Sequence, residues 1–168
     1  KNIYKSILMI YPKNKRVMHA LSVLKNINLN NIIKNDPQEA FNKIMDLYQN
    51  GEYSNVIEQL KVFISHYPKE FIAWNLIGLS AFQIGVFNDA IEAFSKALLI
   101  KPDYPEALNN IGNALKEQGD LDKAIEAYRK CIRLQSNFTA DCYNNMGGAL
   151  KDQGKLEDAL EAFNKTIK

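Results

Sequence analysis

The chain has 168 residues, with 21 Lys+Arg against 19 Asp+Glu, and 46% of its residues are apolar. That share of apolar side chains excludes an intrinsically disordered chain, and no apolar run approaches the ~20 residues that span a bilayer as a helix. A net charge of +2 offers little attraction for nucleic acid, and two Cys with two His supply neither a disulfide framework nor zinc-finger spacing.

The charge is uneven along the chain. Residues 1–36 hold seven Lys/Arg and one acid, Asp36, for a net of +6, whereas residues 37–168 hold fourteen bases and eighteen acids, for a net of −4. The apolar run Ile7–Tyr11 is followed at once by Pro12-Lys13-Asn14-Lys15-Arg16, with no small-residue cleavage site, so it does not read as a secretory signal. A cytoplasmic setting, with Cys131 and Cys142 as free thiols, is the expectation that follows. Residues 1–26 read as an eroded helical repeat. Ile7–Pro12 has the look of a helix end with its closing proline, and Val17, Met18, Leu21 and Leu24 form a helical stripe. The Asn-rich residues 27–36 read as a linker. It ends in Asp36-Pro37, a good N-cap followed by a proline in the first turn.

From Pro37 onward the chain repeats itself. Gly51, Gly85, Gly119 and Gly154 open the phrases GEYSNVIEQL, GVFNDAIEAF, GDLDKAIEAY and GKLEDALEAF, at spacings of 34, 34 and 35. A second phrase precedes the last three of these glycines: WNLIGLSA, LNNIGNAL and YNNMGGAL. Four units follow, at residues 37–70, 71–104, 105–139 and 140–168. In the third, Leu108, Ile111, Gly112 and Leu115 form one stripe, and Leu121, Ala124, Ile125, Tyr128, Cys131 and Ile132 another. Both step by three and four, as one face of a helix requires. Glycine between the stripes suits a helix C′ position at positive φ. Each unit is therefore helix, tight turn, helix, and the pairs bury their faces by stacking.

These residues resemble the tetratricopeptide repeat family. The family pattern appears as Trp74, Ile77, Gly78, Ala81, Ala90, Phe94, Ala97 and Pro102 in the second unit. In the third it is Leu108, Ile111, Gly112, Leu115, Ala124, Tyr128 and Cys131, and in the fourth Tyr143, Met146, Gly147, Leu150, Ala159, Phe163 and Thr166. The first unit is degenerate, with Ala40, Ile44, Leu47, Val56, Leu60, Phe63 and Pro68. Lacking the contact glycine, its two helices are expected to splay. The resemblance implies an all-α, right-handed superhelical solenoid of antiparallel helix pairs whose first helices line a concave groove. It places Trp74 in the core, and Glu92, Glu126 and Glu161 on a solvated convex face.

Nothing in the sequence points to catalysis: there is no glycine-rich phosphate loop, no HExxH, GxSxG or CxxC, and no metal or cofactor site is expected. His19 and His66 read as solvated surface. The second stripe of the first helices is the candidate groove. In the first two units it is apolar, with Phe41, Met45, Tyr48, Ile72, Leu79 and Phe82 interrupted by Asn75. An exposed patch of that extent calls for a partner. In the last two units it carries Glu106, Asn109, Asn113 and Lys116 with Asn110 beside them, then Asp141, Asn144 and Lys151 with Asn145 beside them. Asparagines there can donate to and accept from a peptide backbone, and the ladder resembles that of nucleocytoplasmic glycosyltransferase arms. The alternative is that Asn is a tolerated surface residue in an Asn-rich chain. Repeat domains that grip acidic chaperone tails use Lys and Arg where this chain has Asn75, Leu79, Asp141 and Asn145, so that clamp is absent.

The expected function is a protein-interaction scaffold binding a partner peptide or helix, without catalysis. Self-association through the groove or the uncapped C-terminal end is also expected, and neither nucleic acid nor membrane is an expected partner. The alternative is the substrate-recruiting arm of a larger enzyme, as in bacterial glycosyltransferases and sulfotransferases. The non-Met start and the end at Lys168, inside a second helix, suit a fragment of that kind.

Overall fold

The computed structural model describes residues 32–166. The eroded repeat expected at 1–26 and the first part of the linker lie outside the described residues, as do Ile167 and Lys168. Eight helices follow a short helical turn at 32–35: α1 Pro37–Gln49, α2 Tyr53–His66, α3 Phe71–Gln83, α4 Phe87–Ile100, α5 Pro105–Glu117, α6 Leu121–Arg133, α7 Thr139–Asp152 and α8 Leu156–Asn164. They form an all-α solenoid of four stacked helix pairs. The Asp36 carboxylate accepts from the Glu39 N–H at 2.8 Å and caps α1, with Pro37 in its first turn.

The turn inside each pair has one construction. Gly51, Gly85, Gly119 and Gly154 take φ of +76°, +76°, +82° and +78°. Each glycine N–H donates three residues back, and the next N–H reaches five back, as in Gly119 to Lys116 and Asp120 to Leu115, both at 2.9 Å. This double bond satisfies the orphan carbonyls at the helix end and needs a left-handed residue. Nothing lies within 4 Å of a Cβ at these glycines, so backbone conformation, not crowding, demands them.

Gly78, Gly112 and Gly147 serve the opposite purpose. A Cβ at Gly78 would stand 2.5 Å from the Phe94 ring, and one at Gly147 would stand 2.6 Å from that of Phe163; Gly112 lies under Tyr128 in the same way. Small against aromatic is thus the contact that sets the helix spacing within each of the last three pairs. The first pair inverts it, with Ile44 and Leu60 at these places, both fully buried. Its helices α1 and α2 have the smallest contact of the four pairs.

Two expectations are overturned by the packing. The last part of the supposed linker is helical at 32–35. Ile33 there is fully buried, and its carbonyl accepts from the Tyr67 hydroxyl at 3.2 Å. The surrounding asparagines mask Ile32 and Ile33, which cover the open edge of the first pair. The cysteines are not free: Cys131 and Cys142 are joined in a disulfide, with Cα atoms 6.4 Å apart. The bond ties the end of α6 to the start of α7, across the connection where Gln135 takes a φ of +46°. Both cysteines stand at small, fully buried positions of facing helices.

Candidate functional site

The curvature of the stack follows from which helices touch. From α3 onward successive first helices contact one another, whereas α2, α4, α6 and α8 stand apart, so the first helices lie on the inside of the bend. The outer face is solvated as expected. Glu92–Lys96, Glu126–Lys130 and Glu161–Lys165 form ion pairs at 2.6, 2.8 and 2.7 Å, and hydrogen bonding to each Lys holds its Glu carboxyl below the ordinary value. Trp74 packs against two of the core clusters, as expected, without being fully enclosed. It is half-buried, floors a cleft between α2 and α4, and carries the Lys96 ammonium 4.6 Å from its ring centroid.

The inner face differs in register from the stripe expected from sequence. Asn75 and Asn109 are buried in the seam between neighbouring first helices, each only 8% exposed. The Asn110 side chain donates to the Asn75 Oδ1 at 3.4 Å, and the Asn145 side chain donates to the Asn109 Oδ1 at 2.9 Å. The asparagines therefore bond neighbouring first helices to one another, and Asn75 and Asn109 face helices of the same chain. The inner-face positions that keep side-chain exposure are Glu106, Asn110, Asn113, Lys116 and Glu117 on α5, and Asp141, Asn144, Asn145, Gly148, Lys151 and Asp152 on α7. Asn113 is held by the Tyr128 hydroxyl, which donates to its Oδ1 at 2.8 Å. Burial pushes the Tyr128 phenol far above its ordinary value, so that donor stays protonated. Lys116 reaches across the seam to Asp152 at 3.5 Å. Asn144 and Lys151 are exposed on α7.

The apolar stripe is less open than its composition suggests. Phe41 packs on Phe63 with ring centroids 5.7 Å apart, Tyr48 on Tyr53 at 5.3 Å, and Phe82 on Phe87 at 5.4 Å. Met45 and Leu79 are half-buried against the first core cluster. Aromatic residues of α2 and α4 thus cover much of the stripe, and Ile72 alone among its members is strongly exposed, at 48%. What remains open is a cleft of about 400 Å³ between α1 and α3, walled by Phe41, Phe63, Tyr67 and Ile72 with Glu70 at its rim. Phe63, Tyr67 and Glu70 were missed as site residues because they come from α2 and the connection after it. The repeat position of Phe63 and the aromatic spacing of Phe63 and Tyr67 before Pro68 are the signals of this wall in the sequence.

Family models agree with this architecture. The model described as Tetratricopeptide repeat matches residues 103–168, and that described as TPR repeat matches residues 78–119, together more than half of the chain. The chain belongs to the tetratricopeptide repeat family. No curated protein matches it. Among solved structures the stack is similar to a crystal structure of MamA, at 27% identity over 83% of this chain and 82% of that one, with a TM-score of 0.73. It is also similar to MamA 41-end from Desulfovibrio magneticus RS-1, at 21% identity, 98% and 92% coverage and a TM-score of 0.73. The first TPR of Spaghetti (RPAP3), bound to an HSP90 peptide, shares the fold at 18% identity, 67% and 89% coverage and a TM-score of 0.62.

Proposed function

We propose that this repeat stack is a protein-interaction scaffold that holds a segment of a partner along the inner face of α1, α3, α5 and α7. One observation carries the reading: that face joins an open apolar cleft at Ile72 to amides already oriented by their neighbours, Asn110 and Asn145. A side chain entering the cleft gains burial, while the fixed amides offer hydrogen bonds at little ordering cost. The Cys131–Cys142 disulfide favours an oxidising compartment over the cytoplasm expected from the sequence. Photo-crosslinking residues placed at Ile72 and Asn144 should each capture the same partner from the source cell. The same probe at Leu99, 83% exposed on α4, should not. Equal capture from Leu99 would refute the groove as the binding face.

A further inference from the structure

We propose that the segment held in the groove comes from another protein and is apolar at one end and basic at the other. This rests on the groove reading above and names the chemistry of its partner. The inner face is split along its length. The inner-face positions of α1 and α3, among them Gln38, Met45, Gln49, Ile72, Leu79 and Gln83, carry no charge; the exposed Glu39, Lys43 and Asp46 of α1 stand at repeat positions that are buried or half-buried on α5, off the inner face. The inner-face positions of α5 and α7 carry four carboxylates, Glu106, Glu117, Asp141 and Asp152, against two ammonium groups, Lys116 and Lys151. Lys116 is taken by Asp152. Glu106, Glu117 and Asp141 form no ion pair among the described residues, so the half of the groove beyond the apolar cleft presents excess negative charge to whatever lies in it. An acidic segment would meet like charges there, whereas Lys or Arg side chains would meet carboxylates flanked by amide acceptors. At the other end the cleft between α1 and α3 takes one large apolar side chain, and Glu70 at its rim again disfavours an acidic neighbour.

Fluorescence anisotropy on the full chain tests this with synthetic peptides of about a dozen residues, each with a Trp-Leu anchor at one end. One carries three lysines at the far end, a second carries glutamates in their place, and a third carries serines. The lysine peptide should bind at least about tenfold tighter than the glutamate peptide at low salt, and the gap should narrow as salt screens the groove. The triple substitution Glu106→Gln, Glu117→Gln and Asp141→Asn should weaken the lysine peptide about tenfold and leave the serine peptide unchanged. Circular dichroism confirms that this surface variant is folded. Equal or tighter binding of the glutamate peptide would overturn the proposal while leaving the groove reading standing. Binding of all three peptides that ignores Ile72→Ser would overturn the groove reading as well. If the lysine peptide does not bind, the proposal fails. Sedimentation then shows whether a second copy fills the groove, by a dimer that Ile72→Asp dissociates, or whether residues 7–16 of the same chain do, by a monomer that gains peptide binding when those residues are replaced by Gly-Ser.

Discussion

Substituting alanine at Gly112 and, separately, at Gly148 tests the account of helix spacing. The two glycines lie in the middle of first helices α5 and α7, so both variants gain the same helix propensity, about 0.8–1 kcal/mol. Their surroundings differ. A Cβ at Gly112 would stand 2.7 and 2.8 Å from Cδ1 and Cζ of Tyr128, and one at Gly148 would meet only the Lys116 Nζ at 3.5 Å, an ordinary contact with a flexible side chain. Tyr128 is fully buried and anchored by its hydroxyl to Asn113 at 2.8 Å, so its ring cannot step aside without losing that bond. Forcing α5 and α6 apart costs about 1–3 kcal/mol, as overpacking of a filled core does. Gly148→Ala is therefore expected to stabilise by up to about 1 kcal/mol, and Gly112→Ala to be less stable than it by about 1–3 kcal/mol. Urea unfolding followed by far-UV circular dichroism measures both. The first helix pair supplies a rescue: Ile44 and Leu60 fill the same two places with the sizes inverted. Adding Tyr128→Leu to Gly112→Ile should recover at least half of the stability lost in Gly112→Ile alone. Equal stability of the two alanine variants would refute the assignment of Gly112 to a tight helix contact.

Three other outcomes are expected. The disulfide closes a loop of sequence separation 11, so reduction should cost about 3 kcal/mol by loop-closure entropy. Dithiothreitol should lower the urea midpoint of the natural chain and leave that of Cys131→Ala with Cys142→Ala unchanged. Stability should fall as pH rises above about 10, the ordinary tyrosine value. There the unfolded chain releases a phenolic proton that burial makes Tyr128 retain. Tyr128→Phe should flatten that fall, as read from midpoints between neutral and alkaline pH. A double-mutant cycle on Asn109→Ala and Asn145→Ala should give a coupling of about 1 kcal/mol for the bond between them. No coupling would remove the asparagine ladder from the stack's stability.

The helix pairs were legible in the sequence because each is made by neighbours in the chain. A period of 34, a glycine able to take positive φ at each turn, and a glycine facing an aromatic within each of the last three pairs are local facts. Segments of about thirty residues suffice to satisfy them. The supposed linker shows the limit of that reasoning. Ile33 is fully buried because an edge of α1 and α2 needs cover, a need that composition around residue 33 does not express. Cys131 and Cys142 stand eleven residues apart, and only the approach of α6 to α7 decides that their sulfurs meet. The groove register depends on structure in the same way. Periodicity places Asn109 and Asn110 on the side of α5 away from α6, but not which of them the next first helix covers. The angle at which one pair sits on the next decides that. It turns Asn75 and Asn109 into the seam and leaves Asn110 and Asn145 at its edge, because a helix face is open only where no neighbouring backbone comes close enough to bury it.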